Sequence, residues 1–190
     1  MSNDDIANLG PLAPLVGVWE GSKGADEAPA VPDRSLARSD YRERLSLVPT
    51  GRVDNHEQVL YGLRYATTAW RIGADAPFHE ECGYWMWDAE NQQVTRCFVV
   101  PRGITVIAGG TVQADARTFE LEATRGSLVY GICSNPFLDQ KFQTIEYRFG
   151  VTINDDGSFR YESDTVMKLE GKDEPFHHVD SNTLRRVSDA

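Results

Sequence analysis

The side chains best suited to chemistry in this sequence are its histidines, and three of the four lie in two informative stretches. One is "EPFHHVDSNTLRRV", residues 174–187, where His177 and His178 are adjacent, just ahead of a polar cluster and an apolar–basic strand signal. The other is "HEECGYWMWD", residues 79–88, where His79 stands two residues before Glu81. A neutral imidazole is a good ligand for iron, and a haem needs only one axial histidine beside a roomy apolar slot. Neighbouring residues on a strand point to opposite faces, so at most one of His177 and His178 can face a pocket. On residue physics alone the pair reads either as that ligand or as a solvated turn, with the turn the stronger reading. His79 and Glu81 supply two groups at i, i+2. That is too few for a metal-ion site. It suits an acid–base pair or a histidine buried in an aromatic strand and satisfied by hydrogen bonds.

Other chemistries find little support. There is no GxSxG elbow and no Cys/His/Asn setting for a nucleophile. "GSKG" and "AGGT" are too short, and too strand-like in context, to cradle phosphate. Cys82, Cys97 and Cys133 are odd in number and form no CxxC pair, so neither a disulfide framework nor a zinc cage is expected, and a reduced, cytoplasmic setting is the simplest reading. Cys97, within "TRCFVV", reads as a small buried apolar residue. The net charge of −10 and pI of about 4.8 argue against nucleic acid and anionic membrane as partners, because both need clustered Lys and Arg. "MSNDDIANLG" lacks the apolar core of a signal peptide. No apolar run approaches the ~18 residues of a membrane span.

The elements that must position the histidines read as almost entirely β. Residues 1–10 form an expected flexible tail and 11–190 a single domain, opened by one or two helical turns in "LGPLAPLVGVW". "GVWEGSKG" is a strand interrupted by glycines, and "GADEAPAVPDRS" a loop. "DYRERLSLV" alternates, with Tyr41, Glu43, Leu45 and Leu47 on one face. "PTGRVDN" reads as a turn, and "EQVLYGLRYATTAWRI" as two strands or one bent one. In "HEECGYWMWD", His79, Glu81, Gly83, Trp85 and Trp87 share one face, while Glu80, Cys82, Tyr84 and Met86 share the other. Both faces carry large aromatics, so parity alone does not choose the inner one. Gly83 in mid-strand marks a bend or a close approach by another chain segment. "TFELEAT" alternates strictly, "SNPFLDQ" reads as a loop, "INDDGSF" as a tight hairpin, and "HHVDSNTLRRV" as the last strand. About ten short strands in sequence predict an all-β fold, an antiparallel up-and-down barrel of the lipocalin or fatty-acid-binding-protein type, wide enough for a ligand cavity.

Several of these stretches, taken together, resemble the nitrobindins, a family of haem-binding ten-stranded β-barrels. "PLVGVWEGSKG" resembles the family's opening GxWxGxG motif, through Gly17, Trp19 and Gly21. "PFHEECGYW" is similar to its P-x-H-x-E-x-G-Y strand, and "PRGITVIAGGTV" to its TG-x-x-E-x-x-x-G stretch. "FHHVDSNTLRRV" is similar to its closing H-L-x-A-x-L-x-R. The resemblance covers about Leu12 to Val187, and the order and spacing of the motifs are more specific than any one of them. It implies a barrel that binds ferric haem b. His178 (or His177) would be the proximal, axial iron ligand and His79 would line the opposite side. Gly17, Trp19 and Gly21 would be structural, packing around the aromatic at the closed end. The activity implied is the handling of nitric oxide and related species, including isomerisation of peroxynitrite to nitrate.

Three departures from the family pattern stand out. Lys23 occupies the place of the opening motif's last glycine, and Gly24 follows one position later. In the closing motif the family histidine precedes the leucine by five residues, whereas here Val179 holds that place and His178 is six before Leu184. A one-residue shift reverses which face a side chain takes unless a bulge intervenes, and "DSNT" could host one. "GSLVYGICSNPFLDQKF" matches nothing in the family and reads as a strand with a turn, or as a lid over the mouth.

Register therefore separates two functions. His178 turned inward favours haem. Val179 turned inward favours a carrier of a lipid or other hydrophobic small molecule, with Arg44, Arg64, Tyr65 or Arg148 gripping its polar head. Enzymatic turnover is not legible, and a homodimer through exposed strand faces stays open.

Overall fold

A computed structural model describes residues 6–189. The expected tail thus lies outside the described residues over 1–5, while Leu9 packs into the core. A 3-10 helix, Gly10–Leu15, leads into eleven strands: β1 (Gly17–Pro29), β2 (Leu36–Asn55), β3 (Gln58–Arg71), β4 (His79–Asp88), β5 (Gln93–Val100), β6 (Ile104–Thr111), β7 (Thr118–Thr124), β8 (Ile132–Ser134), β9 (Phe142–Ile153), β10 (Phe159–Leu169) and β11 (Phe176–Ser188). One short helix, α1 (Pro136–Lys141), lies between β8 and β9. The spatial order is β5-β4-β3-β2-β1-β11-β10-β9-β7-β6, and a β5–β6 pairing closes ten strands into an antiparallel barrel. β8 is the extra strand, bound to β6 at Ile104–Val106 beyond the point where β6 meets β7. Among the described residues no helix is long and apolar enough to cross a membrane.

The barrel has a closed end and a mouth. The 3-10 helix plugs the closed end with Leu12 and Leu15, and the Trp19 indole donates to the Leu15 carbonyl at 2.8 Å while meeting Phe159 edge-on. A Cβ at Gly21 would lie 2.7 Å from the Asn182 side chain and 2.8 Å from the Thr183 carbonyl, so this position accepts no larger residue without displacing β11. The opening motif is thus a packing device at the β1–β11 seam.

Alternation settles most strand faces because one face of each strand must meet the core. Tyr41, Glu43, Leu45 and Leu47 point inward, as the pattern predicts, and so do Phe119, Leu121 and Ala123 of β7. In β4 the inward set is His79, Glu81, Gly83, Trp85 and Trp87. The mid-strand glycine is a close approach: a Cβ at Gly83 would sit 2.0 Å from the Cys97 carbonyl oxygen of β5. Backbone cannot yield there as a flexible side chain would. Gly83→Ala is therefore expected to reach or exceed the upper end of the ordinary overpacking range, about 3 kcal/mol. A urea denaturation midpoint within error of the wild type would overturn this.

Four expectations change. β1 continues through "GADEAP" to Pro29, leaving a loop of only residues 30–35, because ladder bonds to β2 and β11 on both sides outweigh poor local propensity. β2 runs straight through "PTGRVDN" with a bulge at Thr50, where Pro49 pairs Leu63 and Gly51 pairs Gly62; the turn moves to 55–58. "SNPFLDQ" forms α1, capped by Asn135, whose side-chain oxygen accepts from the Leu138 amide at 2.9 Å with Pro136 in the first turn. Cys97 lies half-buried on the outer face of β5, and its neighbour Arg96 takes the core position.

The closing register resolves through β1. From Glu20↔Arg185 to Ala25↔Ser181 the chain spends one more residue on β1 than on β11, and the β1–β2 ladder shifts at the same place, between Gly21 and Gly24. The bulge occupies Ser22–Lys23, where the opening motif departs from the family. β11 itself pairs β10 without a break from Leu184 to Phe176. His178, Asp180, Asn182 and Leu184 therefore share the inner face, while His177 and Val179 face out.

Candidate functional site

Between the mouth and the aromatic floor lies a cavity of about 220 Å³. Phe98, Val106, Phe142 and Met167 are among its apolar lining, joined by Leu138 of α1, so the segment without a family counterpart contributes to the cavity wall. Set into this lining are polar side chains from β1 to β5 and β9 to β11, and three hydrogen-bonded clusters account for them.

The first is built on β3, β4, β5 and β9. His79 Nε2 meets Glu81 Oε1 at 3.1 Å, and Glu81 Oε2 accepts from Tyr65 at 2.7 Å and from Arg96 at 2.6 Å. Arg96 also donates to the hydroxyls of Tyr65 and Tyr147, and its guanidinium carbon lies 4.2 Å from the ring centroids of both Phe98 and Phe149. Burial pushes the Glu81 carboxyl up, but Arg96, His79 and Tyr65 outweigh it and hold the group down at about 2. Burial pulls His79 down, and the hydrogen bond and charge of Glu81 more than reverse this, so its imidazolium is favoured above the usual range.

The second cluster crosses the barrel seam. Asp26 of β1, 5% exposed, meets His178 Nε2 of β11 at 2.9 Å and Arg71 of β3 at 2.7 Å, and Ser39 donates to it at 3.2 Å. Burial raises the Asp26 carboxyl, and its bonds to His178 and Arg71 bring it below the ordinary value. Arg71 in turn stacks 3.7 Å above the Phe78 ring centroid. His178 is about one-third exposed at its side chain, at 33%, and lines the cavity.

The third cluster is the deep one. Glu43 accepts from Thr67 and Tyr161, each at 2.7 Å, and from Asn182 at 3.2 Å, and Tyr41 and Tyr161 share a 2.6 Å hydroxyl contact. These partners are all neutral, and burial raises the Glu43 carboxyl above its usual range. Asp180, bonded to Ser163 at 2.8 Å, is likewise raised by burial. A carboxyl raised in the folded state contributes most below its unfolded value, and that contribution fades as pH rises through and beyond it. Glu43→Gln should therefore remove a decline in stability that the wild type shows above about pH 4.5, with a limiting slope of about 1.4 kcal/mol per pH unit. Urea denaturation across pH 4–8 measures this; parallel curves would refute it.

The structure thus brings His79 and His178 to one cavity and leaves His177 outside, exposed and paired with Asp164 at 2.9 Å. Arg44 and Arg148 pair with Glu20 and Glu146 on the outer surface, and Arg64 is exposed, so of the four head-group candidates only Tyr65 faces inward. Sequence reasoning missed Asp26, Arg71 and Arg96. Arg96 had a signal: it occupies the core parity of "VTRCFVV", between Val94 and Phe98. Asp26 had none, lying in a Pro/Ala/Asp-rich stretch.

This donor set suits a haem better than a bare metal ion. Among the described residues no three His, Cys, Asp or Glu side chains converge as an ion site. Haem brings four of its own ligands and asks the protein for an imidazole beside an apolar slot; His178 and His79 are imidazoles on the wall of this cavity, and the His178 Nε2 is engaged by Asp26.

Comparison with known proteins agrees. No curated protein matches the chain at a significant level. Among solved structures, the chain is similar to Rv2717c from M. tuberculosis, with a TM-score of 0.64 at 22% identity, over 94% of this chain and 96% of that one, which supports the barrel fold. The family description "THAP4-like, heme-binding beta-barrel domain" matches residues 8–186. With that match over nearly its whole length, the chain belongs to the THAP4-like, heme-binding β-barrel domain family, the kind of haem-binding barrel its sequence motifs resemble.

Proposed function

We propose that this barrel binds ferric haem b with His178 as the axial ligand and His79 lining the same cavity, and that it handles nitric oxide and peroxynitrite. The observation that carries the reading is the inward turn of His178 onto an apolar-walled cavity, with Val179 outward, in a chain of a haem-binding family. The cavity, at about 220 Å³, falls below the ~300–1,000 Å³ usual for pockets that enclose an organic ligand. The cofactor would accordingly be held at the mouth, partly in solvent, rather than swallowed.

Bound haem would supply a Lewis-acidic, redox-active iron. The chain's own contribution is position and electrostatics. His178 would hold the metal. His79, oriented by Glu81 and biased toward its cation, would donate a hydrogen bond to an anionic small molecule entering from the mouth. Phe98, Val106 and Leu138 would limit water on the opposite wall. For the lipid-carrier alternative, the inward Arg96 is already matched by Glu81 and Arg71 by Asp26, which leaves Arg102, stacked on Phe142 at the cavity wall, to meet a carboxylate head group.

The direct test is a titration of purified protein with ferric haem followed in the visible spectrum. A saturable Soret band at one haem per chain is expected. Absence of saturation would overturn the reading and turn attention to whatever apolar molecule copurifies.

A further inference from the structure

We infer that Asp26 is an internal competitor for the haem site, a latch that holds the His178 ring nitrogen which iron must take. The inference rests on the haem reading above. A histidine's Nδ1 lies beside its own Cβ and backbone, so a wide planar macrocycle reaches Nε2 far more easily. It is Nε2 that Asp26 Oδ1 engages, at 2.9 Å. His178 can therefore bind a metal only after this contact opens.

The surroundings of Asp26 make that opening feasible. An ion pair broken in the interior ordinarily strands a buried charge. Here Asp26 uses its other carboxylate oxygen for Arg71 at 2.7 Å and Ser39 at 3.2 Å. When His178 leaves, the carboxylate keeps a cation and a hydroxyl. Arg71 is thus the counterweight of the latch: it lowers the cost of releasing His178. The opposite arrangement, in which Asp26 backs a metal-bound ring through the far nitrogen, is common at metal sites. It would require the macrocycle to approach Nδ1, against the β11 backbone.

The two arrangements demand opposite signs. Asp26→Asn keeps the shape but replaces a charge-assisted hydrogen bond with a neutral one, so haem should bind about fivefold tighter and associate faster, with an unchanged Soret position. Arg71→Gln leaves Asp26 dependent on His178, tightening the latch, so haem should bind several-fold more weakly. Both are read by equilibrium and stopped-flow Soret titration of the haem-free full chain. Weaker or unchanged binding by Asp26→Asn would overturn the latch. If circular dichroism shows that Asp26→Asn does not fold, the Arg71→Gln sign decides, and tighter or unchanged binding there overturns it. Failure of the wild type itself to give a saturable band is a separate result, and it would sink the haem reading rather than the sign of the Asp26 effect.

Discussion

His178→Ala is expected to weaken ferric haem binding by about a hundredfold or more, while His177→Ala leaves it within about twofold. Losing even an outer-shell partner of a metal ligand costs ~10–100-fold, and losing the ligand itself should exceed that. The contrast between neighbours is the informative part. The two side chains differ by one position on an unbroken ladder with β10, so one faces the cavity and the other meets Asp164 outside. Equal losses in both variants would mean that the β11 register is wrong or that binding is nonspecific. Equal indifference would mean that iron, if bound, is held elsewhere, with His79 the next imidazole to substitute.

Arg96→Met should lower stability at neutral pH by about 3–5 kcal/mol, the usual result of removing one partner of a buried ion pair. Three groups lose the arginine together: Tyr65, Tyr147 and Glu81, the last keeping only Tyr65 and His79. Glu81 is the costly one, since Arg96 is the only arginine bonded to it among the described residues. Arg96→Lys should recover part of the loss, because it restores the charge without the planar fork that serves three oxygens at once. Removing Glu81 as well, as Arg96→Met/Glu81→Leu, should recover more, since no carboxylate is then left buried without its arginine.

The pH dependence provides a second check on the same pair. The wild-type Glu81 carboxyl sits at about 2, below its ordinary 4.5. Its stabilising contribution is therefore complete above about pH 4.5 and is lost as pH falls toward 2. In Arg96→Met, burial acts on Glu81 without the arginine to oppose it, so the variant is penalised at neutral pH and relieved on protonation. The two stability curves should converge below about pH 4. A gap that stays constant down to pH 2.5 would show that the loss comes from packing against Phe98 and Phe149 rather than from the ion pair.

The sequence by itself determined the strand meander, the hairpin at "INDDGSF", the inward faces of β2 and β7, and the motif order that points to a haem-binding barrel. These are local or periodic properties. A turn residue acts within four positions, and period-two alternation marks which residues share a face whatever the strand pairs with. What alternation cannot supply is which face becomes the inside when both are aromatic. That was the case in β4, and only barrel closure turned His79 and Glu81 inward.

Tertiary structure also decided where the extra residue of the opening motif went. The Ser22–Lys23 bulge absorbs it in β1, while β11 pairs β10 without a break from Leu184 to Phe176 and keeps His178 inside. It placed Leu138 on the cavity wall, far from any family motif. And it assembled the polar wall from partners remote in sequence, since Asp26 reaches Arg71 across 45 positions and His178 across 152. No local pattern marks Asp26 as special. Its role exists only because closing the barrel lays β1 against β11, where a buried carboxylate must find donors, and the nearest include the histidine that the family motif points to as a ligand.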